Sequence, residues 1–287
     1  MKVLVWCPVP DGVNPHPETE QAINNLEFDG QLDIVIARHN TYPGYDKRNW
    51  QSQTKAAWKT TVEGGYDALL HVDSDMIPPR NGLQLLADAD KPVVYGNYCF
   101  RHGDYPYMNY ATPPVNGSYG TLYDEIINHK ELLERFQGKV TEVSGVGFGF
   151  VLIKREVIEQ TEIHYLNESP DCDMIFALDC CKMRISQFGH WGVMVGHIAE
   201  DQTLWPFQNC YLAKANVNDS VNYRHFGETI SLVKDTDISI PLLQAKELER
   251  AGYLTIIRKY KDEEFEIDWS LYPKGVEPCQ QYPGHIT

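Results

Sequence analysis

The chain has 287 residues, 43% of them hydrophobic, which is enough for one large α/β domain with a sizeable core or for one domain with an appendage. No stretch approaches the roughly 18 to 20 apolar residues of a membrane span, and Pro8 ends the first apolar run too early for a signal peptide, so we expect a cytoplasmic protein. The formal net charge of −15 opposes binding to nucleic acid phosphates and anionic lipids.

Seven short apolar runs predict strands, and amphipathic helical patterns separate the early ones. The runs lack polar alternation, which is typical of strands buried on both faces. The predicted strands cover residues 3–6, 32–36, 68–72, 92–95, 140–143, 150–153 and 193–195. The alternation of strand and helix indicates the α/β class, with a mostly parallel, Rossmann-like central sheet and helices on both faces.

The predicted helices follow from apolar residues at helical spacing. In the first of them, Trp50, Thr54, Ala57, Trp58 and Val62 share one side. A proline in the first turn marks the start of the second at Pro79. The predicted helices cover residues 47–63, 79–88, 122–136, 171–184 and 241–251, with a long loop over 97–120 and a strand near 191–197.

Glycines and cysteines add two weaker signals. Gly145, Gly147 and Gly149 alternate with apolar residues, which suggests backbone that passes close to another group and does not match a dinucleotide fingerprint. The seven cysteines do not resemble a disulfide framework. A zinc site is conceivable where cysteines and histidines cluster, but no C-x-x-C pair is present and buried thiols are favoured. That cluster contains Cys172, Cys180, Cys181, His190 and His197.

Two aspartates, Asp73 and Asp75, directly follow the apolar strand 68–72. Ligands bind beyond the carboxyl ends of strands in open parallel sheets. Residues two apart in an extended segment point the same way, so these carboxylates repel each other unless a cation lies between them. Mg²⁺ and Mn²⁺ prefer such oxygen ligands and complete their shells with substrate phosphates. The pattern therefore predicts a metal-bridged diphosphate site; alternatively, both aspartates cap the helix near Pro79.

Four stretches, in this order, resemble the GT-A glycosyltransferases, especially the large inverting family 2. They are "DKRNWQSQTKAAW", "GYDALLHVDSDMIPP", "VSGVGFGFVLIKREV" and "CDMIFALDCCKMRISQFGHWGVMVGHI". The resemblance covers about residues 1–200 and implies a GT-A catalytic and nucleotide-sugar-binding domain there. Residues 201–287 would be a C-terminal extension that forms the acceptor side or the interface of a homo-oligomer.

The resemblance implies a metal site for Mn²⁺ or Mg²⁺. Asp75 would bind the metal directly, Asp73 would face the ribose or a metal-bound water, and His197 would complete the metal shell. Taken alone, a histidine there favours a partly buried residue with a backbone partner, and the metal role of His197 depends on its place after an apolar strand and on its match to "VGH".

The resemblance also assigns a general base, Asp173, which would deprotonate the acceptor hydroxyl. The residue before it is Cys172 where the family has Glu, so no role is carried over to that position. The alternative is an aspartate that stabilises the first turn of a helix, and Asp171 is a rival for the role.

The resemblance extends to both substrates. The nucleotide sugar is expected to contact Pro8, Arg48, Asp73 and Ser74, and the acceptor Gly147, Phe148 and Arg101. Arg48 is alternatively a surface charge, and Arg101 alternatively meets phosphate or solvent. A wall of Phe148, Trp191 and Trp205 for sugar stacking is also conceivable, although aromatics in such numbers are more often core.

The implied activity is hexosyltransferase-like transfer from a nucleotide-diphosphate sugar, by family habit a UDP-sugar, to a hydroxyl with inversion. A retaining enzyme, a sugar nucleotidyltransferase and an inactive sugar- or nucleotide-binding scaffold are the alternatives. Against the nucleotidyltransferase, "CPVPDGVNPHPE" after the first strand has one Gly and no Lys or Arg. The acceptor stays open among a glycan, a lipid-linked sugar, a protein, a small molecule and a modified nucleobase.

Overall fold

The computed structural model describes residues 1–10, 14–43, 47–99, 109–110, 127–163, 172–199, 202–222 and 229–276. Within these ranges, no helix is both long enough and apolar enough to cross a bilayer. The predicted site residue Arg101 and the rival base Asp171 lie outside the described residues.

The described strands and helices alternate along the first part of the chain, while strands predominate after residue 187. The strands are β1 (Lys2–Pro8), β2 (Gln31–Ala37), β3 (Ala68–Val72), β4 (Met76–Ile77), β5 (Val93–Asn97), β6 (Asn109–Tyr110), β7 (Ile127–Asn128), β8 (Val140–Val143), β9 (Gly145–Val146), β10 (Phe150–Lys154), β11 (Gln187–Met194), β12 (Gly196–Ala199), β13 (Gln202–Leu204), β14 (Cys210–Ala215), β15 (Asp219–Asn222), β16 (Thr229–Leu232), β17 (Asp237–Pro241) and β18 (Leu254–Lys259). The α-helices are α1 (Pro17–Asn24), α2 (Lys47–Glu63), α3 (Gly82–Asp88), α4 (His129–Phe136), α5 (Arg155–Ile158), α6 (Cys172–Met183) and α7 (Leu242–Arg250).

The central sheet has seven strands in the order β2-β1-β3-β10-β5-β11-β8. Strand β1 is parallel to β2 and β3, and β5 is parallel to β11. Strand β10 is antiparallel to both of its neighbours, and β8 is antiparallel to β11. Five strands of this sheet, β1, β2, β3, β5 and β11, therefore run in one direction, which confirms the predicted mostly parallel sheet.

Helices cover both faces of this sheet. Phe150 and Val151 are consecutive in β10, so their side chains point to opposite faces. The start of α3 at Gly82 lies against the ring of Phe150. On the other face His71, which pairs with Val151, contacts Thr54 of α2. The described side chains of the inner strands β1, β3 and β5 are almost all buried, as two-sided burial predicts, whereas edge strand β2 is half exposed.

Three predicted boundaries are wrong, each for a local reason. Helix α3 begins at Gly82, because β4 and a turn that contains Pro79 come first, and its N-cap residue is Asn81. Strand β11 begins at Gln187, before the predicted start near residue 191. Gln187 is polar and so did not fit an apolar run, but its amide is buried and accepts from the Tyr95 hydroxyl. Residues 127–128 form strand β7, where the predicted helix 122–136 had already begun; residues 122–126 lie outside the described residues.

The residues after 200 form a hydrophobic core of their own and also pack against the core of residues 1–200. One buried cluster consists only of residues from 213 to 254, which β14, β16, β17, β18 and α7 contribute. A second buried cluster combines earlier residues, such as Trp191 and Met194, with later ones, such as Trp205 and Phe265. The boundary at residue 200 stays a prediction.

Candidate active site

The candidate site lies at one edge of the central sheet. Because β1, β3, β5 and β11 run in one direction, their carboxyl ends meet at this edge. It receives Pro8 from β1, Asp73 from β3 and Asn97 from β5. The antiparallel strand β10 begins at the same edge, so Phe148 and Gly149 enter the site just before it. The fold thus gathers residues that are far apart in sequence.

The segment from Asp73 to Asp75 is a turn, not the extended segment assumed from the sequence. The N–H of Met76 donates to the carbonyl of Asp73 over 3.2 Å, and the N–H of Asp73 donates to the carbonyl of Gly149 over 3.0 Å. The turn leads from β3 into β4, which pairs with β12. The two aspartates are therefore not caps of α3, which begins only at Gly82.

Asp75 and His197 face each other across the pairing of β4 with β12. The N–H of Ile198 donates to the carbonyl of Asp75 over 2.8 Å, and this bond aligns the two segments. His197 Nε2 lies 3.4 Å from Asp75 Oδ2. Only 9% of the His197 side chain and 11% of the Asp75 side chain are exposed. This pair is the part of the predicted metal set that the structure brings together.

The hydrogen bond of Nδ1 fixes the tautomer of His197. Nδ1 lies 2.9 Å from the carbonyl oxygen of Cys99, and since a carbonyl only accepts, Nδ1 must carry the proton. In neutral His197, Nε2 then presents a lone pair toward the Asp75 carboxylate. Nε2 is buried and has no hydrogen-bond partner among the described residues. His197 therefore has the backbone partner of the alternative interpretation, the carbonyl of Cys99. The same hydrogen bond turns Nε2 toward Asp75.

Two buried electron-rich atoms at this separation are suited to a cation between them. A carboxylate oxygen and a neutral imidazole nitrogen are both ligands of Mn²⁺, and magnesium-like ions are often held by one or two protein groups together with substrate phosphates. The described residues contain no group of three His, Cys, Asp or Glu side chains arranged to hold a metal ion. The donor set therefore fits a cation that is bound partly by protein and partly by substrate. It fits a closed structural metal site less well.

The Asp73 carboxylate is hydrogen-bonded by an aromatic side chain. The indole Nε1–H of Trp50 donates to Asp73 Oδ1 over 2.9 Å. His71 Nδ1 is 3.9 Å from the same oxygen, but burial lowers the pKa of His71 to about 4, so His71 is neutral near pH 7. Sequence reasoning placed Trp50 on the buried side of α2 but missed this contact; the signal was a ring with a polar N–H on an apolar helix face.

Cys7 and Tyr98 are two buried groups whose pKa values are raised by burial and by the charge of Asp73. Burial raises the pKa of the Cys7 thiol, and the charges of Asp73 and then Asp75 raise it further. Burial and then the charge of Asp73 hold the pKa of Tyr98 well above its ordinary value, and Asp173 adds to the effect. The Tyr98 hydroxyl accepts from the N–H of Gly149 over 3.1 Å.

The predicted base Asp173 lies in the first turn of α6. Its Oδ1 accepts from the N–H of Met174 over 2.8 Å, and the side chain is half buried. The charge of Asp173 adds to the raised pKa of Tyr98, whose ring centroid lies 6.0 Å from that of His197. The first-turn alternative describes where Asp173 lies and is compatible with a role as base.

Helix α2 fastens the chain segments that follow β1 and β2. Asn49 Oδ1 accepts from the N–H groups of Thr41 and Tyr42, and its amide donates to the carbonyl of Pro10. Gln53 Oε1 accepts from the N–H of Val9 over 2.7 Å. We call Asn49 and Gln53 the α2 clamp. It holds the rim where Pro8 is buried and where exposed Arg48 stacks over the Tyr42 ring at 3.6 Å.

The predicted acceptor residues have different surroundings. Gly147 is buried beside the site, and Phe148 is 1% exposed, with its ring 5.8 Å from Trp58 and 5.2 Å from Phe176. Its acceptor role stays a prediction that this burial does not support. Trp191 and Trp205 are equally buried, so they belong to the core. At Gly149 a Cβ would come within 2.7 Å of Tyr98, which confirms the close backbone approach that the glycines predict.

No family model matches the sequence, and no curated protein matches it. Among solved structures, the chain is similar to A197 from STIV, with 19% identity, a TM-score of 0.49 and coverage of 72% of this chain and 91% of that one. For TarS 1–349 from S. aureus, identity is 10%, the TM-score is 0.37, and 66% of this chain and 57% of that one are covered.

A third similar structure is CMP:2-keto-3-deoxy-manno-octonic acid synthetase complexed with CTP, with 9% identity, a TM-score of 0.36 and coverage of 66% and 89% of the two chains. At these levels of likeness, the function has to be inferred from the geometry of the site itself.

Proposed function

We propose that this chain is a GT-A-type glycosyltransferase that binds a nucleotide-diphosphate sugar, with UDP as the first nucleotide to test, together with Mn²⁺ or Mg²⁺. The observation that carries the proposal is the buried Nε2 of His197, 3.4 Å from Asp75 Oδ2 at the carboxyl edge of the sheet. Asp75 and His197 would hold the cation. When bound, the cation supplies Lewis-acid stabilisation of the negative charge that grows on the leaving diphosphate.

The residues around the pair have separate roles in donor binding. Asp73, fixed by Trp50, would address the ribose or a cation-bound water, and Ser74 would line the same turn. Arg48 at the start of α2 would meet the diphosphate. Pro8 and the residues fastened by the α2 clamp would border the nucleobase, and their preformed backbone reduces the entropy lost on binding.

Asp173 would act as the general base. The acceptor oxygen forms a bond to the anomeric carbon, the bond from that carbon to the diphosphate breaks, and the nucleoside diphosphate leaves. The hydroxyl proton passes to the Asp173 carboxylate. Attack from the face opposite the leaving group inverts the anomeric configuration. Gly147, Arg101 and the region 201–287 would form the acceptor side, and that region is also the candidate interface of a homo-oligomer.

The cation site is tested by calorimetric titration of UDP in the presence of Mn²⁺. His197→Gln should weaken binding by about 100-fold or more, because it removes a direct ligand, whereas loss of outer-shell partners alone costs about 10–100-fold. His190→Gln is the matched control: His190 is equally buried and has an unpartnered Nδ1, but no ion pair with a carboxylate is seen for it among the described residues. Equal affinities for the two variants would refute the assigned cation site.

Turnover is tested with a panel of nucleotide sugars and Mn²⁺, read as slow donor hydrolysis. Asp75→Ala should abolish metal-dependent turnover, and Asp173→Asn should leave UDP affinity nearly unchanged while turnover stops. Pyrophosphate release from a nucleoside triphosphate and a sugar phosphate would indicate a nucleotidyltransferase instead. Binding of UDP without any turnover would indicate an inactive scaffold.

A further inference from the structure

Trp50 holds one carboxylate oxygen of the site in place. Indole Nε1–H is a donor only, and its partner, Asp73 Oδ1, lies 2.9 Å away at the end of β3. A hydrogen bond to an ionised carboxylate is roughly twice as strong as one between neutral groups. The Trp50 side chain is half buried, and its position in the first turn of α2 carries it beneath the turn that contains Asp73.

The direction of the indole N–H is itself fixed by packing. The Trp50 ring meets His71 edge-on at a centroid distance of 6.1 Å and lies 6.3 Å from the Phe148 ring. His71 is held in turn by the carbonyl of Phe148 at 2.9 Å and by Thr54 Oγ1 at 3.3 Å. Because Nδ1 of His71 donates to that carbonyl, Trp50 and not His71 is the aromatic residue that donates to Asp73 Oδ1.

We propose that Trp50 is a positioning residue for the nucleotide sugar: it orients the Asp73 carboxylate toward the ribose or toward water bound to the cation. The inference rests on the proposed function and adds to it a residue outside the metal set. With the N–H removed, the Asp73 side chain gains rotational freedom, and the ligand has to order it on binding.

Trp58 provides a matched comparison. It lies two turns further along α2, and its ring packs against Phe148 at a centroid distance of 5.8 Å. Its indole donates to Thr161 Oγ1 at 3.4 Å and not to a carboxylate. Replacement of either tryptophan by phenylalanine removes one indole N–H from the same aromatic cluster, but only one of these N–H groups touches the site.

The experiment titrates UDP with Mn²⁺ into the full chain and its variants. Trp50→Phe should weaken UDP binding about tenfold, as expected for loss of a hydrogen bond to a charged group, and Trp58→Phe should stay within about twofold. In ¹H–¹⁵N spectra of the full chain, the indole resonance of Trp50 should shift in the Asp73→Asn variant. It should also shift in the unmodified chain when UDP and Mg²⁺ are added. The Trp58 resonance should stay in place in both cases.

The outcomes separate the two proposals. If neither the unmodified chain nor Trp58→Phe binds UDP with Mn²⁺ or Mg²⁺, the proposed function fails, and this inference fails with it. If the unmodified chain binds and Trp50→Phe binds equally well, or if Asp73→Asn leaves the Trp50 resonance unmoved, the positioning role alone is overturned. Should Trp50→Phe not fold, as judged by far-UV circular dichroism, the effect of Asp73→Asn on the Trp50 resonance decides the question.

Discussion

A backbone carbonyl orients His197. The bond from Nδ1 to the carbonyl of Cys99 fixes both the tautomer and the rotation of the ring, as outer-shell partners of metal-binding histidines commonly do. A side-chain acceptor would leave a signature in the sequence, whereas any residue at position 99 supplies a carbonyl. The orientation therefore depends on the path of the chain after β5 and not on the identity of Cys99.

The buried His71 should make stability depend on pH. Its folded pKa of about 4 lies below its ordinary value of 6.5, so the unfolded chain binds a proton that the folded protein excludes. The free energy of unfolding should therefore fall as pH decreases from about 6.5 to 4, with roughly 3 kcal/mol of the loss due to His71. Above about pH 6.5 this contribution is fully present. Urea denaturation at several pH values measures it.

The control for this pH dependence is a solvent-exposed histidine, His16. His71→Gln should be less stable than the unmodified chain at pH 7 but should lose less stability between pH 6.5 and 4. His16→Gln should follow the unmodified chain across the whole range. Parallel curves for the unmodified chain and His71→Gln would contradict a neutral, buried His71.

Sequence reasoning found the residue types of the site but not the contacts between them. It named Asp73 and Asp75 because carboxylates after an apolar strand stand out in a one-dimensional pattern, and it named His197 and Asp173 through the resemblance to the GT-A glycosyltransferases. It missed Trp50 and the carbonyl of Cys99. The Cys99 contact has no local signal because it involves a backbone atom. The signal for the Trp50 contact was only an indole N–H on an apolar helix face, and the contact itself depends on the approach of α2 to the end of β3.

At the scale of elements, the α2 clamp joins the segments that follow β1 and β2 to one face of a single helix. Gln53 accepts from the N–H of Val9 and donates to the carbonyl of His39 at 3.1 Å and to Asn40 Oδ1 at 2.7 Å. Gln53 is only 4% exposed, so these hydrogen bonds are shielded from water. A buried polar group left without a hydrogen-bond partner would lower the free energy of unfolding. The clamp explains why polar residues lie on the buried side of an otherwise amphipathic helix.

Removal of the clamp should loosen the rim before the core. Gln53→Leu keeps the approximate volume but leaves buried polar groups without partners, so we expect a loss of about 2 kcal/mol in the free energy of unfolding. Hydrogen exchange at the amide of Val9 should accelerate more than exchange within β3. Lys55→Ala, at an exposed position of the same helix, should change neither quantity appreciably. Unaltered exchange at Val9 in Gln53→Leu would contradict the clamp.

The strands were predicted from the sequence more reliably than their ends. All seven predicted runs correspond to strands of the central sheet. The inner strands are continuous apolar runs because they are buried on both faces. The missed start of β11 contains Gln187 and His190, which are buried but polar. Gln187 is tolerated in the interior because the Tyr95 hydroxyl donates to its Oε1, and Tyr95 lies far away in sequence.

At the scale of the whole molecule, residues 269–276 fold back onto the earlier part of the chain. The Tyr272 hydroxyl donates to the carbonyl of Met194 over 2.8 Å, and the Trp205 indole donates to the carbonyl of Val276 over 3.1 Å. Trp269 and Tyr272 pack edge-on against Trp205 at centroid distances of 5.0 Å and 5.1 Å. This segment completes the second buried cluster.

Shortening the chain so that it stops at residue 268 should therefore uncover Trp205. We expect red-shifted tryptophan fluorescence and a loss of several kcal/mol, since at least two large aromatic contacts disappear. Tyr272→Phe, which removes only the hydroxyl, should cost about 1 kcal/mol. Ile257→Ser, at a position that is 47% exposed in β18, should change stability by no more than about 0.5 kcal/mol. An unshifted spectrum in the shortened chain would contradict the docking.

The reversed direction of β10 has a consequence for how such a protein can diversify. Because β10 is locked between β3 and β5, its ladder fixes where Gly147 and Phe148 arrive, whatever the length of the chain upstream. Insertions or deletions ahead of β9 can then accumulate without a change of register. Descendants of this protein can therefore change that stretch of the chain while Gly147 and Phe148 keep their places beside Asp73.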